Sequence, residues 1–277
     1  MKNSKRWIWL LFIGATIFSA CSTSIEKQVE APIVSAIYPS SDTLPENLLR
    51  MYVHFSKSMK PIGNLEQIKL TDENGQEVVG AIFNNVYELW DSEQRQLTLI
   101  FDPARVKTGL MVNEEKGRSL QVDRNYKLVI GQLEDVEGNK LKEVYTKSFY
   151  VTEEDRLPPN TMLWEMKIPK ANSHSPLTMK FPAMLDRLSL RQRLKLTDEH
   201  NRPVGGKVEI TKQETAWRFI PTKKWSVGSY VLYVHGRLED PCGNNLNGLF
   251  DHEIGSLKNK QEGAIERILI TITQDNI

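Results

Sequence analysis

Two short segments of the chain carry carboxylate and amide side chains at the same spacing. Asp135 and Asn139 form one pair, and Asp240 and Asn244 form the other. Carboxylate, amide and backbone oxygens are the ligands that calcium takes in proteins, but the Asp-x-x-Gly-Asn pattern also makes a tight turn. The second segment has a proline and a cysteine where a calcium loop would offer more oxygens. We therefore predict two structural turns and keep a calcium site as the weaker alternative.

The histidines and serines show no catalytic spacing. None of the five histidines stands in an H-x-x-x-H or H-E-x-x-H arrangement. The chain also lacks the G-x-S-x-G segment that presents a nucleophilic serine. The sequence therefore predicts no catalytic residue, no cofactor and no enzyme. One alternative stays open, namely an accessory or enzymatic factor that acts on envelope glycans through a cleft between domains.

The composition is that of an ordinary globular protein. Apolar residues make up 40% of the chain and charged residues 26%. The 36 basic and 35 acidic side chains give a formal net charge of +1. Because proteins that bind nucleic acid concentrate positive charge, this balance predicts no nucleic-acid partner.

The first twenty residues have the pattern of a secretory signal. Three basic residues precede an apolar run over residues 7–18, which is shorter than the ~20 residues that a membrane-spanning helix needs. Residues 17–21 (IFSAC) resemble the bacterial lipobox. The resemblance implies cleavage before Cys21 and a covalent lipid on its sulfur, with palmitate among the acyl chains. It implies a membrane partner through that lipid, and Ser22 favours the outer membrane in a Gram-negative host.

The rest of the chain contains an internal repeat. Residues 69–80 (KLTDENGQEVVG) recur as residues 195–206 (KLTDEHNRPVGG). Residues 126–141 recur as residues 230–246, with a tyrosine at the start and the Asp-x-x-Gly-Asn segment near the end of each. Matched blocks in the same order indicate a duplicated domain. The number of positions that separates matched residues is smaller in the second block than in the first. The first copy therefore carries extra residues between the blocks, which we place at 85–94 and 109–123.

Each copy has the pattern of seven short strands. Met51, Val53 and Phe55 alternate with polar neighbours, as a half-buried antiparallel strand requires. Turn residues separate the strands, and this pattern predicts an all-β protein of two tandem antiparallel β-sandwiches. We expect each repeat tyrosine, Tyr126 and Tyr230, to tie a loop to the backbone through its hydroxyl.

Three segments of the first copy carry a family resemblance. Residues 55–59 (FSKSM), 97–103 (LTLIFDP) and 135–139 (DVEGN) resemble the bacterial Ig-like domains of the SbsA type. The second copy matches less well, with residues 181–184 (FPAM) lacking the serine. The resemblance implies spacers, stalks or binding modules of exported proteins, with no common catalytic site.

The extra residues of the first copy supply candidates for partner binding, because loops on a rigid sandwich are where binding residues concentrate. Exposed tyrosine, tryptophan and arginine are typical anchors. The candidates are Tyr87, Trp90, Asp91, Arg105, Arg118 and Arg124. The alternative reading is that Trp90 packs against its own domain.

The expected organisation is a signal peptide at 1–20, a lipidated tether at 21–31 and a first Ig-like domain at 32–152. A proline-containing linker at 153–160 leads to a second Ig-like domain at 161–277 with an irregular C-terminal segment. We expect a membrane-anchored lipoprotein of the cell envelope that acts as a non-enzymatic binding, spacer or assembly module. Its partner would be an envelope protein or glycan. A calcium-dependent adhesin is the other alternative.

Overall fold

A computed structural model describes residues 30–61, 63, 65–83, 88–252 and 263–274. The signal, Cys21 and Tyr87 lie outside the described residues, so the predictions for them stay predictions. Among the described residues, no helix is both long enough and apolar enough to cross a membrane.

The first sandwich consists of two four-stranded sheets that enclose one apolar core. One sheet has the strand order β1-β3-β6-β5 and the other β2-β8-β7-β4. All pairings are antiparallel except that of β2 with β8, which is parallel. The strands are β1 (Val34–Tyr38), β2 (Thr43–Pro45), β3 (Arg50–Phe55), β4 (Ile68–Thr71), β5 (Leu89–Trp90), β6 (Gln96–Ile100), β7 (Asn125–Ile130) and β8 (Tyr145–Thr152).

The second sandwich has its own core between a four-stranded and a three-stranded sheet. Their strand orders are β12-β13-β10-β9 and β11-β14-β15. Every pairing is antiparallel. The strands are β9 (Glu165–Lys167), β10 (Leu177–Lys180), β11 (Leu194–Asp198), β12 (Gly206–Thr211), β13 (Ala216–Pro221), β14 (Gly228–His235) and β15 (Ile265–Ile272).

The two copies share a register, as the repeat predicts. Leu70 on β4 is opposite Leu128 on β7, and Leu196 on β11 is opposite Leu232 on β14. All four leucines are buried. The equivalent residues therefore pair in the same way in both copies.

Short helices lie in the connections. Asp102 caps α1 (Pro103–Val106), and α2 (Met111–Lys116) falls within the second stretch of extra residues. In the second sandwich, a 3₁₀ turn (Thr161–Leu163) follows the linker and α3 (Arg187–Gln192) follows β10.

The residue pattern predicts a continuous strand from Val78 to Leu89, but the described part of this segment contributes an isolated bridge at Ile82 and the two-residue β5. The pattern also predicts a last strand near Ile268–Thr273, with the alternative that Ile265–Thr273 is an added strand outside the sandwich. The last strand is present. It begins earlier, at Ile265, and pairs with β14 along its whole length.

Candidate functional site

The two Asp-x-x-Gly-Asn segments form turns whose carboxylates are occupied by N–H donors. Oδ1 of Asp135 accepts hydrogen bonds from the backbone N–H groups of Glu137 and Asn139, at 3.0 and 2.8 Å. Asp240 accepts in the same way from Cys242 and Asn244, at 2.8 and 3.0 Å. The prediction of structural turns is confirmed.

Each asparagine of these turns directs its amide nitrogen at the aspartate. Nδ2 of Asn139 donates to Oδ2 of Asp135 at 2.9 Å, and Nδ2 of Asn244 donates to Oδ2 of Asp240 at 2.8 Å. A cation would need the asparagine oxygen in that place. Within the described ranges, no three His, Cys, Asp or Glu side chains are grouped to hold a metal ion.

The second turn, unlike the first, lies between the sandwiches. The Pro241 carbonyl accepts a hydrogen bond from the backbone N–H of Leu49 at 3.0 Å. Cys242 is buried and its Sγ lies 3.2 Å from Oδ1 of Asn47. Nδ2 of Asn244 also donates to the linker carbonyl of Asp155 at 2.9 Å. The turn of the second copy thus contacts both the first sandwich and the linker.

The linker is held by hydrogen bonds from both sides. Asn47 exchanges two of them with Asp155, one donated to its carbonyl at 2.8 Å and one accepted from its N–H at 2.9 Å. Arg156 forms an ion pair with Asp251 at 3.0 Å, and Thr108 of the first sandwich donates to that carboxylate at 2.9 Å. The proline-containing linker is therefore bonded to both sandwiches.

A cluster of ionisable side chains completes this junction. Arg50 forms an ion pair with Glu239 at 2.8 Å. The hydroxyl of Tyr52 donates to Oδ2 of Asp186 at 2.7 Å, and both residues are buried. Asp186 also caps α3, accepting from the N–H of Ser189 at 2.7 Å. The outer face of β3 is thereby covered by the second sandwich.

A second group of contacts lies beside it. Ser40 donates to the buried carboxylate of Glu214 through its N–H at 2.7 Å and its hydroxyl at 2.8 Å. The guanidinium of Arg187 stacks over the ring of Tyr38, 3.8 Å from its centroid. Such cation–π contacts are strongest where water is excluded.

Burial shifts the titration of the junction. Loss of solvent raises the pKa of Asp186 and of Glu239, although the Arg50 charge acts in the opposite direction. Burial raises the pKa of Tyr52. Burial, helped by the nearby charge of Asp155, raises the pKa of Asp240 to about 7. Asp186, Glu239, Tyr52 and Arg50 act on one another's titration, whereas Asp240 interacts with its own turn and with Asp155. All of these groups thus have partners inside the junction.

The described partner-binding candidates differ in their contacts. Trp90 packs on Phe55 with ring centroids 5.6 Å apart and donates to Glu88. The carboxylate of Asp91 accepts from the N–H groups of Arg95 and Gln96 within its own turn. The reading of Trp90 as part of its own domain is the one that these contacts support.

The arginine candidates divide by exposure. Arg105 is buried and donates to the carbonyls of Gly117, Val79 and Arg118 at 2.9, 3.2 and 3.1 Å. The Arg118 side chain pairs with Glu46 and with Glu154 in the linker. Arg124 is exposed. The structure therefore gives Arg105 and Arg118 structural contacts, and partner binding by the candidates stays a prediction.

Sequence reasoning did not identify the junction residues. Most of their partners lie more than 100 positions away in the sequence, as with Tyr52 and Asp186. One signal was available in the repeat. Glu137 of the first turn is replaced by Cys242 in the second, and an apolar residue in a polar turn indicates burial.

The repeat tyrosines identify the type of sandwich. The hydroxyl of Tyr126 accepts from the N–H of Gln121 at 3.1 Å, and that of Tyr230 bonds to both the N–H and the carbonyl of Ser226. This tyrosine corner at the penultimate strand, between two packed sheets, is typical of immunoglobulin sandwiches. The fold is immunoglobulin-like.

Comparisons with solved structures return β-sandwich proteins at low identity. CopC from Methylosinus trichosporium OB3b is 16% identical over 46% of this chain and 98% of its own, with a TM-score of 0.31. A chimeric titin Z1Z2 is 8% identical over 88% and 97%, with a TM-score of 0.27. Alpha-2-macroglobulin from Escherichia coli is 12% identical over 88% and 72%, with a TM-score of 0.28. No protein-family model and no curated protein matches the chain.

Proposed function

We propose that this chain is a lipid-anchored lipoprotein of the bacterial cell envelope. In this proposal, two Ig-like sandwiches act without catalysis as a rigid spacer and binding module. The anchor is Cys21, and the outer membrane is its location in a Gram-negative host. The resemblance to SbsA-type domains of exported proteins agrees with such a role.

The observation that carries the proposal is the bonded junction. A chain of loosely linked domains would expose its linker, whereas here Asn47, Asp155 and Asn244 bond the linker to both sandwiches. The ion pair and hydrogen bonds of Arg50 and Tyr52 fix the orientation further. A fixed orientation is what a spacer needs in order to hold a binding surface at a set distance from the membrane.

The rigidity can be measured as a distance between two spin labels. Glu73 and His200 are exposed residues at equivalent turns of the two copies, so each can be changed to cysteine and labelled in the full chain in mild detergent. We expect a narrow distance distribution by double electron–electron resonance. Cys242 is buried and is not expected to react with the label.

Matched variants test the cause of that rigidity. Replacing Asn47 and Arg50 with alanine removes junction contacts and should broaden the distribution. Replacing Asn139 with alanine alters the turn of the first copy and should leave it narrow. A broad distribution in the unmodified junction would refute the rigid-spacer proposal.

The anchor has its own test. Cys21→Ala should accumulate as an unprocessed precursor that incorporates no labelled palmitate, whereas Cys242→Ala should be processed and labelled like the parent. Normal processing and lipid labelling of Cys21→Ala would show that the lipobox interpretation is wrong.

A further inference from the structure

A basic groove lies on the outer face of the sheet β12-β13-β10-β9. Its volume is about 1000 Å³. Five of its lining residues are cations and none is an acid. These cations are Lys167, Lys170, Lys180, Lys212 and Arg218. We call this surface the basic groove.

The strand register explains the shape of the groove. Ala216 on β13 is opposite Lys180 on β10 and Thr211 on β12, so a small residue stands between two longer ones. Along the next row, Lys167, Thr178 and Arg218 are neighbours on β9, β10 and β13. At roughly 4.8 Å per strand, Lys167 and Arg218 lie in one row across the sheet with Thr178 between them, and the row ends at Glu209 on β12.

Most of the positive charge of the groove is uncompensated. Lys180 pairs with Glu165 and Arg218 pairs with Glu209, each at 3.0 Å. No carboxylate in the described part of the chain is within ion-pair distance of the other three lysines, Lys167, Lys170 and Lys212. Five cations less two paired acids leave a local excess of three positive charges. The whole chain has a net charge of only +1, so the excess is localised.

The equivalent face of the first sandwich is closed. There Tyr38, Tyr52 and Thr98 take the places of Lys167, Thr178 and Arg218 in the same strand register. Tyr52 is only 3% exposed, because Asp186 of the second sandwich binds its hydroxyl. In the second copy, the equivalent face has lysine, threonine and arginine in these positions, and its lysines are exposed.

We propose that the basic groove binds an anionic glycan, that is, a polysaccharide bearing phosphate, sulfate or carboxylate groups. The lysines would neutralise its charges, and the hydroxyls of Ser175, Thr178 and Thr211 would bond to its sugar hydroxyls. The core of a protein–protein interface is apolar and enriched in aromatic residues, whereas the apolar residues of this groove are buried or half-buried and include no aromatic side chain. They are Met166, Ile168, Pro169, Pro176 and Ala216. The proposal rests on the envelope location above and names the ligand class of that binding module.

Dextran sulfate, with neutral dextran of the same length as the reference, provides the test. The full lipidated chain in mild detergent should bind dextran sulfate in a calorimetric titration and should not bind neutral dextran. Affinity should fall as NaCl rises from about 50 to about 300 mM, because exposed charges are screened.

Two triple variants with the same change in net charge separate the groove from general attraction. The groove variant should bind dextran sulfate at least about tenfold more weakly, which is about 1.4 kcal/mol. It combines Lys167→Gln, Lys170→Gln and Lys212→Gln. The control changes Lys127, Lys142 and Lys195 to glutamine, and these are exposed lysines on other surfaces. The control should bind like the parent chain.

Three results would overturn the proposal. They are no binding of dextran sulfate, equal losses in the two triple variants, and binding of polyglutamate in preference to dextran sulfate, which would indicate an acidic protein partner. The spin-label distances are read on the same samples. A narrow distance distribution without dextran sulfate binding would refute only the proposal for the basic groove. A broad distance distribution would refute the proposed rigid spacer.

Discussion

At the scale of single residues, the molecule uses one turn sequence in two environments. Asp135 and Asp240 accept the same pattern of hydrogen bonds from their turns. Hydrogen bonds and the charge of Lys57 outweigh desolvation and lower the pKa of Asp135. Asp240 lies in the junction near Asp155, and its pKa is raised to about 7. The surroundings of each turn, and not its local sequence, therefore decide whether the pKa of its aspartate is raised or lowered.

This difference predicts opposite pH dependences for two matched variants. Because the folded pKa of Asp240 is about 7 against an ordinary 3.8, its contribution to stability is complete below about pH 4 and is lost as the pH rises through 7. The free energy of unfolding of the parent relative to Asp240→Asn should therefore fall by a few kcal/mol from about pH 4 to about pH 8. The expected size follows from about 1.4 kcal/mol for each unit by which the pKa is shifted.

Asp135→Asn is the control with the opposite sign. Since the folded pKa of Asp135 is lowered, its stabilisation is present above the ordinary value of 3.8 and is lost as the pH falls below it. Urea unfolding between pH 3 and pH 8 measures both. Parallel curves for the two variants would contradict the assigned environments.

At the scale of elements, one buried arginine organises the connection that contains α1 and α2. The guanidinium of Arg105 bonds to three carbonyls, from Val79, Gly117 and Arg118, and so joins α1 to the loop after α2 and to the turn before the Ile82 bridge. Carbonyls that lose a buried donor cannot recover water without opening the structure. Arg124 lies nearby in sequence but is exposed.

Arg105→Met should therefore destabilise the first sandwich by about 3 kcal/mol or more, because a buried charged donor is lost and three acceptors are left unpaired. Arg124→Met, with the same change of side chain at an exposed position, should change the free energy of unfolding by about 0.5 kcal/mol or less. Thermal and urea unfolding measure both. Similar effects of the two substitutions would show that Arg105 is not a structural anchor.

At the scale of the whole molecule, the two sandwiches share buried polar groups. Tyr52 and Asp186 belong to different sandwiches yet form one hydrogen bond of 2.7 Å. Losing one partner of such a bond leaves the other buried without a partner, which costs about 1–3 kcal/mol. The stability of each sandwich is therefore coupled to the other.

A double-mutant cycle across the junction measures this coupling. Asp186→Ala should destabilise the protein, and Tyr52→Phe should recover part of the loss when added to it, since the unpaired hydroxyl is then gone. We expect a coupling energy of about 1 kcal/mol or more. Additive effects would mean that the hydroxyl and the carboxylate do not interact in solution. Ser175→Ala changes an exposed residue of the basic groove. Its effect on the free energy of unfolding should add to that of Asp186→Ala, and this pair provides the reference without coupling.

The sequence alone determined the duplicated, all-β architecture. Strand alternation follows from local chemistry, because Met51, Val53 and Phe55 must share one face of any strand they form. The repeat then located equivalent strands in both copies, and Asp135 and Asp240 were correctly read as turn residues, since their hydrogen bonds are made within five residues.

Only the tertiary structure decided which faces are covered. Tyr52 and Thr178 hold the same register position, yet one is buried against Asp186 and the other lines an open basic groove. These outcomes depend on contacts between residues more than 100 positions apart, and no local pattern encodes such pairs. The contacts of Arg105 and Arg118 are nearer in sequence, as with Arg105 and Gly117, yet they too depend on how the loops fold back on the sandwich, which no alternation or repeat pattern encodes.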